Sequence, residues 1–335
     1  MEDPRDVVAV LGAGSWGTAL AILLARNGVE VRLWGHGTAH VSELRRAREN
    51  RAFLAGQAFP GGLTPTDDLQ QALAGAAEVL VVVPSHAFRE VLGRIRPLLS
   101  TDAPLSWATK GLEPGSGKLL HQVAADELGE RSMAVLSGPT FAREVAQGLP
   151  TAITVAATDW THAERLAGYL HARYFRAYTS DDLIGVQIGG AAKNVLAIAA
   201  GAADGLGFGA NTRAALITRG LAELMRLGLA LGGRMETFMG LAGLGDLALT
   251  CTDDQSRNRR MGLALARGLS IDDARREIGQ EVEGVRTAAE VHAVARRLGV
   301  EMPICEQTYR VLCGELRPEA AVRALLERRQ KSELE

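Results

Sequence analysis

Along its first half the chain alternates short apolar runs with stretches of helical length. "VVAVLG" (7–12) predicts a buried strand, and a helical stretch from Ser15 stops at Asn27-Gly28, a pair suited to a helix C-terminus. "VEVRLWG" (29–35) predicts a second strand, followed by a charged helix around 38–50. "EVLVVVP" (78–84), "PLSWATK" (104–110), "SMAVLSGP" (132–139) and "TAITVAA" (151–157) are further apolar runs bounded by Pro or Gly, with helical patterns such as 117–129 and 159–171 between them. Strands rich in Val, Leu and Ala that alternate with helices predict an α/β fold, a doubly wound, mostly parallel sheet with helices on both faces.

Past about residue 180 the pattern turns helical, over 182–204, 211–231, 259–267, 285–298 and 318–329, and strand-like runs stop. The change comes without a Pro/Ser-rich linker, and the chain carries no internal repeat or low-complexity segment. With 335 residues, two domains are expected, because single cores stop growing near ~250–300 residues.

Composition narrows the class. A formal net charge of −2 gives no electrostatic case for nucleic acid or an anionic membrane. The three cysteines, Cys251, Cys305 and Cys313, form neither a C-x-x-C pair nor a metal-ligand spacing, so no metal is expected and a reducing compartment is. "MEDPRDVVAVLGAG" lacks a basic leader and runs straight into the first strand, so no signal peptide is expected. In the most membrane-like window, 183–203, Gln187, Lys193 and Asn194 interrupt the ~18 apolar residues that a span needs, so no membrane span is expected.

"LGAGSWG" places Gly12, Gly14 and Gly17 in a G-x-G-x-x-G spacing between the first strand and the first helix. Gly12 permits the tight turn, Gly14 lets a pyrophosphate approach the backbone, and Gly17 lets helix and strand pack closely. Amides at the helix start then face the phosphates. The acidic residue expected at the end of strand two is missing from "LWGHG" (33–37). His36, with Arg45 or Arg46, is placed to accept a 2′-phosphate instead, which leans the choice of NAD or NADP toward NADPH.

In such a sheet, ligands sit outside the carboxyl ends of the strands. Those ends carry "VVPSHAF" (82–88), "ATKGLE" (108–113) and "SGPTFARE" (137–144). Lys110 follows its strand directly, and Gly138-Pro139-Thr140 reads as a turn offering amides and a hydroxyl, or as a simple cap for the helix carrying Glu144.

In the helical half, Lys193 sits within "QIGGAAKNVLAIAAG" (187–201), with Gly189, Gly190, Leu196 and Ala197 one turn away. That nearly bare face lets another backbone or a ligand come close. Lys193 then reads either as a snorkelling lysine or as a partly desolvated ammonium, its pKa lowered by burial, that exchanges a proton. Asn194 is placed to orient the same substrate oxygen or bridge to the cofactor. Asp246 lies in a Gly-rich turn, and Ser256, Arg257 and Asn258 with Arg259 and Arg260 form either a solvated helix start or a phosphate clamp. Glu283 reads equally as a helix-capping carboxylate.

"GAGSWGTALA", "ATKGLE", "SGPTFAREVAQGLPTA", "GGAAKNVLAIAAGAADGLGFGANTRAALITRG", "GLAGLGDLALTCT", "SRNRRMG" and "EGVRT" run colinearly over about residues 8–310. Together they resemble the successive motifs of the bacterial NAD(P)-dependent glycerol-3-phosphate dehydrogenase family. The resemblance implies a Rossmann-type dinucleotide-binding domain over 1–180 and an all-α substrate and catalytic domain over 181–335. It implies reversible hydride transfer between NAD(P)H C4 and C2 of dihydroxyacetone phosphate, giving sn-glycerol 3-phosphate for phospholipid synthesis in the cytoplasm. Lys193 is implied as the proton-transfer residue. Cofactor contacts are implied for Ser15, Trp16, His36, Lys110, Ala142, Arg257, Val282 and Glu283. Substrate contacts are implied for Lys110, Gly138, Thr140, Lys193, Asp246, Ser256, Arg257 and Asn258. The small-residue helix faces suit tight contacts within one chain or between two, and a homodimer is the expected assembly. The alternatives are a related two-domain dehydrogenase acting on a 3-hydroxy or sugar acid, and a nucleotide sensor without turnover.

Overall fold

The structure is a computed structural model, and it describes residues 6–329. Residues 1–5 and 330–335, which include the start of the segment read for a leader and the outer ends of both expected domains, lie outside the described residues. The chain divides into two compact units: residues 6–113 and 118–187 form the first, and residues 114–117 and 188–329 the second.

The first unit is built on one eight-stranded sheet. Its strands are β1 (Val7–Leu11), β2 (Glu30–Trp34), β3 (Leu63–Thr66), β4 (Glu78–Val81), β5 (Leu105–Trp107), β6 (Met133–Ser137), β7 (Thr151–Ala157) and β8 (Phe175–Ser180). The order is β3-β2-β1-β4-β5-β6-β7-β8, parallel throughout except that β7 pairs antiparallel to β6. The run β3 to β6 is the doubly wound order, with its reversal between β1 and β4, where such sheets open a crevice for a ligand. All six expected strands are present, which bears out the α/β reading.

Two strands escape the hydrophobic pattern. β3 carries Pro65, which is tolerated because this is an edge strand. β8 is the other edge, with Phe175 buried and Arg176 and Tyr178 facing out, so it lacks the continuous apolar run of a central strand. The interior strands are buried on both faces, and with the helix Ser15–Arg26 they make one apolar core that includes Val8, Val10, Leu20, Ile22 and Leu24. A carboxylate also lies inside. Glu78 is fully buried, yet it accepts from the Ser106 hydroxyl at 2.7 Å and pairs with His162 at 3.0 Å, which answers its desolvation.

The second unit is helical. Its elements include the second part of Leu183–Gly205, then Ala210–Ala230, Asp246–Thr252, Arg257–Ala266, Ile271–Ile278, Glu283–Leu298, Pro303–Leu312 and Pro318–Leu326. The division between units falls inside Leu183–Gly205, between Gln187 and Ile188. That helix has the length and mean hydropathy, 1.5, of a membrane span, but 89% of its most apolar window is buried in the protein. Its apolar character is that of a core helix.

Candidate active site

The Gly-rich loop has the geometry that a dinucleotide needs. Gly12 has φ +129°, a region that side chains rarely adopt, and a Cβ there would drive into the Val82 carbonyl just beyond β4. A Cβ on Gly17 would strike the Gly12 carbonyl, so the helix starts as close to the loop as backbones allow. Gly14 is different: nothing lies within 4 Å of its would-be Cβ, which leaves the backbone approachable. Beside this opening, the buried indole nitrogen of Trp16 has no hydrogen-bond partner in the protein. An open backbone at a helix start, with an orphaned donor next to it, fits a phosphate-bearing nucleotide. Ser15 faces elsewhere, donating its hydroxyl to the Phe53 carbonyl at 2.7 Å.

At the other strand ends, the side chains of Lys110 and Thr140 converge on one carbonyl. The Lys110 ammonium donates to the Gly138 carbonyl oxygen at 3.4 Å, and the Thr140 hydroxyl donates to the same oxygen at 3.1 Å. Thr140 is therefore not the N-cap of the Ala142–Gln147 helix, whose N-cap is Phe141, and Ala142 is the first residue of that helix. His36 is exposed at the end of β2. The arginines expected beside it are already engaged. Arg45 pairs with Asp67 at 2.9 Å and Arg46 with Glu43 at 2.8 Å, so both are countered by carboxylates that strand-end reading did not foresee.

In the helical unit Lys193 is 6% exposed. Its ammonium pairs with the Asp246 carboxylate and donates to the Thr250 hydroxyl at 2.7 Å. Thr250 gives its own hydrogen to the Asp246 carbonyl at 2.6 Å, so its lone pair is what meets Lys193. Desolvation is thus only half of the setting of this cation; Asp246, itself 1% exposed, supplies a counter-charge. Asp246 does not sit in a loose turn. It opens the Asp246–Thr252 helix, after a π-helical turn over Leu241–Gly245.

The glycine beside Lys193 clears the way for backbone. A Cβ on Gly189 would overlap the Ala242 carbonyl oxygen and lie 3.0 Å from its carbon. The Gly-rich face therefore seats the π turn that delivers Asp246. Thr250 was missed in the sequence, although a hydroxyl four residues after Asp246 on a helix was the available signal.

Ser256 caps the Arg257–Ala266 helix, accepting from the Arg259 amide at 3.2 Å. Asn258 is buried, donating to the Asn194 side chain at 2.9 Å and accepting from the Gly284 amide at 2.9 Å. Arg259 turns inward, to Asp204 and, at 2.8 Å, to Asp254. Of the three arginines in "SRNRR", Arg259 is thus structural. Arg257 is half-buried, with Gln280 at 3.4 Å, and burial lowers its guanidinium from the usual range against the opposing charge of Glu283. Val282 is the N-cap residue and Glu283 the first residue of the Glu283–Leu298 helix. Cys251 is 1% exposed and burial pushes its thiol up to about 12, which leaves it no role as a nucleophile. Among the described residues no three His, Cys, Asp or Glu side chains gather as a metal site requires.

Residues 7–163 match the family model for the N-terminus of NAD-dependent glycerol-3-phosphate dehydrogenase, and residues 182–323 match that for its C-terminus. A glycerol-3-phosphate dehydrogenase [NAD(P)+] of Aeromonas hydrophila subsp. hydrophila is 59% identical over 328 residues, covering 97% of this chain and 98% of its own. One from Nitrosococcus oceani is 60% identical over 325 residues, covering 97% of this chain and 94% of its own. Among solved structures, the glycerol-3-phosphate dehydrogenase of Coxiella burnetii superposes with a TM-score of 0.94 at 49% identity, covering 97% of this chain and 99% of that one.

Proposed function

The chain belongs to the NAD-dependent glycerol-3-phosphate dehydrogenases and is an NAD(P)-dependent oxidoreductase; we propose that Lys193 is the residue through which it moves the proton between dihydroxyacetone phosphate and sn-glycerol 3-phosphate. The observation that carries this reading is the buried ammonium of Lys193, held by Asp246 and Thr250. When bound, the nicotinamide supplies the hydride for C2 of the ketone. Lys193 stabilises the charge growing on the C2 oxygen and protonates it; in the oxidation direction it takes the proton back. Asp246 acts through Lys193 by holding the ammonium in place.

Gly12, Gly14, Trp16 and Gly17, with the backbone rather than the side chain of Ser15, hold the pyrophosphate side of the nucleotide, and His36 meets the adenosine ribose. Lys110, Gly138 and Thr140 contact the substrate, and Ala142, Val282 and Glu283 the cofactor. Arg257 binds the phosphate of the substrate and reaches the cofactor, with Ser256 and Asn258 fixing its helix start. Family membership and the convergence of Lys110 and Thr140 on Gly138 support these assignments. The same reading makes the protein a cytoplasmic homodimer whose product feeds glycerophospholipid synthesis.

The test is steady-state kinetics with dihydroxyacetone phosphate. Lys193→Ala lowers kcat about 10²–10⁴-fold while NAD(P)H still binds. A variant keeping more than about a tenth of wild-type kcat removes the assignment, since positioned acid–base groups contribute far more than that. Arg257→Ala chiefly raises KM for the phosphorylated ketone, and an unchanged KM removes the phosphate contact.

A further inference from the structure

Lys110 lies in the loop that leaves β5, and one helix, Ser85–Ile95, grips that loop on both sides of it. The fully buried Phe88 of the helix packs edge-on against Trp107 of β5, with ring centres 5.9 Å apart, which fixes the helix on the strand. Before Lys110, the Thr109 hydroxyl donates at 2.7 Å to the carbonyl of Val83, two residues ahead of the helix. After Lys110, Gly111 has φ +129°, a region that side chains rarely adopt, and turns the chain back. The Glu113 carboxylate then meets Arg89, one turn into the helix. Arg89 donates to its two oxygens from Nε at 2.5 Å and from Nη2 at 3.0 Å, the forked geometry that gives a carboxylate direction as well as charge.

The fork is anchored from behind. Arg89 also donates from Nη1 to Glu127 at 2.7 Å and from Nη2 to Asp126 at 3.0 Å, both on the helix Leu120–Leu128. Lys118 meets Asp126 at 2.6 Å, and the Glu113 amide donates to the Lys118 carbonyl at 2.9 Å, which closes the base of the turn. Several charges bound to one guanidinium hold where an isolated surface pair would not. Glu113 is 14% exposed against 37% for Arg89, so without Arg89 the carboxylate has little water to turn to and faces like charges on Asp126 and Glu127.

We propose that Arg89 and Glu113 are positioning residues for Lys110. They act through the loop: with Thr109 and Glu113 tied to the same helix, the Lys110 ammonium stays at the Gly138 carbonyl, where the Thr140 hydroxyl also points. The proposal rests on the reading of Lys110 as a substrate contact.

The test is KM for dihydroxyacetone phosphate in the full-length wild type, Arg89→Met, Glu113→Gln, Lys110→Ala and the double variant Arg89→Met/Lys110→Ala. Each is assayed where circular dichroism shows it folded, and KM does not depend on the folded fraction, which a merely structural role would change. Lys110→Ala raises KM about 10–100-fold, the worth of a charge-assisted hydrogen bond. Arg89→Met and Glu113→Gln each raise it about fivefold, as for a contact loosened rather than removed. In the Lys110→Ala background, Arg89→Met adds less than about twofold, because the group it acts through is gone. The proposal is overturned if Arg89→Met and Glu113→Gln both leave KM within about twofold of wild type, or if the fivefold effect of Arg89→Met persists without Lys110. The second result, with KM raised in Lys110→Ala, leaves the Lys110 reading standing. An unchanged KM in Lys110→Ala removes that reading and the proposal with it.

Discussion

Replacing Gly189 by alanine adds one methyl group where the Leu183–Gly205 helix meets the π turn ahead of Asp246. The new Cβ overlaps the Ala242 carbonyl oxygen and stands 3.0 Å from its carbon. The turn cannot simply back away, because Gly243 is pressed just as closely against the backbone of Phe238. Relief therefore takes a displacement of about 1 Å, and overpacking of this kind costs about 1–3 kcal/mol. Alanine regains about 1 kcal/mol over glycine in a helix, so the net loss of stability is about 0–2 kcal/mol. The larger effect falls on catalysis. Asp246 and Thr250 follow the displaced turn directly, and a misplacement of about 1 Å at a catalytic group costs about 10²-fold. The assay is kcat for dihydroxyacetone phosphate at a temperature where circular dichroism shows the variant folded. Gly168→Ala is the control, since nothing beyond its own helix backbone lies within 4 Å of its new methyl group. If Gly189→Ala keeps wild-type kcat and Tm, the π turn does not set the geometry of Lys193.

Two further outcomes follow from buried charges in the helical unit. Burial pushes the Glu223 carboxyl up to about 7 from its ordinary 4.5, although it accepts the Ile304 and Cys305 amides. The folded state therefore binds the proton more tightly, and the associated stability, roughly 3 kcal/mol at most, is full below about pH 4.5 and lost as pH rises to about 7. Glu223→Gln flattens the fall in the urea midpoint between about pH 5 and about pH 8, read by circular dichroism; a wild-type midpoint constant across that range would falsify the assignment. Arg259→Met removes the partner that Asp204 and Asp254 share and destabilises the protein by about 1–2 kcal/mol, because Asp204 keeps Arg213 at 2.8 Å and Asp254 is exposed to solvent. KM for the phosphorylated ketone stays within about twofold, as for a structural contribution of this size; a rise matching that of Arg257→Ala shows Arg259 to be a phosphate ligand after all.

Legibility in the sequence followed what each position buries. Central strands are buried on both faces and read as apolar runs, so six of the eight strands were visible. β3 and β8 were not, because edge strands carry polar residues and, in β3, a proline. The reversal of β7 leaves no mark on composition, since a buried strand reads alike in either direction. Helices with strongly charged sequences, such as "IDDARREI" in Ile271–Ile278, were hidden by having only Ala274 and Ile278 buried. At the candidate site, residue types showed where chemistry is possible but not which groups face each other. Nothing local joins Lys193 to Asp246 or Arg45 to Asp67; both pairs exist through contacts made by distant segments.

The small residues around Lys193 show why that partnership is hard to read from sequence. A bare helix face suits a ligand and a crossing backbone equally well. Here the backbone takes much of it: Gly189 seats the π turn, Gly201 meets the Arg259 backbone, and Gly262 packs against Ile198 and Ala202. Gly284 completes the set, since a Cβ there would come 2.7 Å from both the Asn194 carbonyl and the Asn258 side chain. These approaches, closer than side chains permit, bring Asn194 and Asn258 into contact and carry Asp246 to Lys193. Helix interiors normally disfavour glycine by about 1 kcal/mol each. The chain accepts that cost at the crossings that fix its buried polar groups, so the glycines belong to the same device as the cation, which is why a single methyl group at Gly189 reaches kcat.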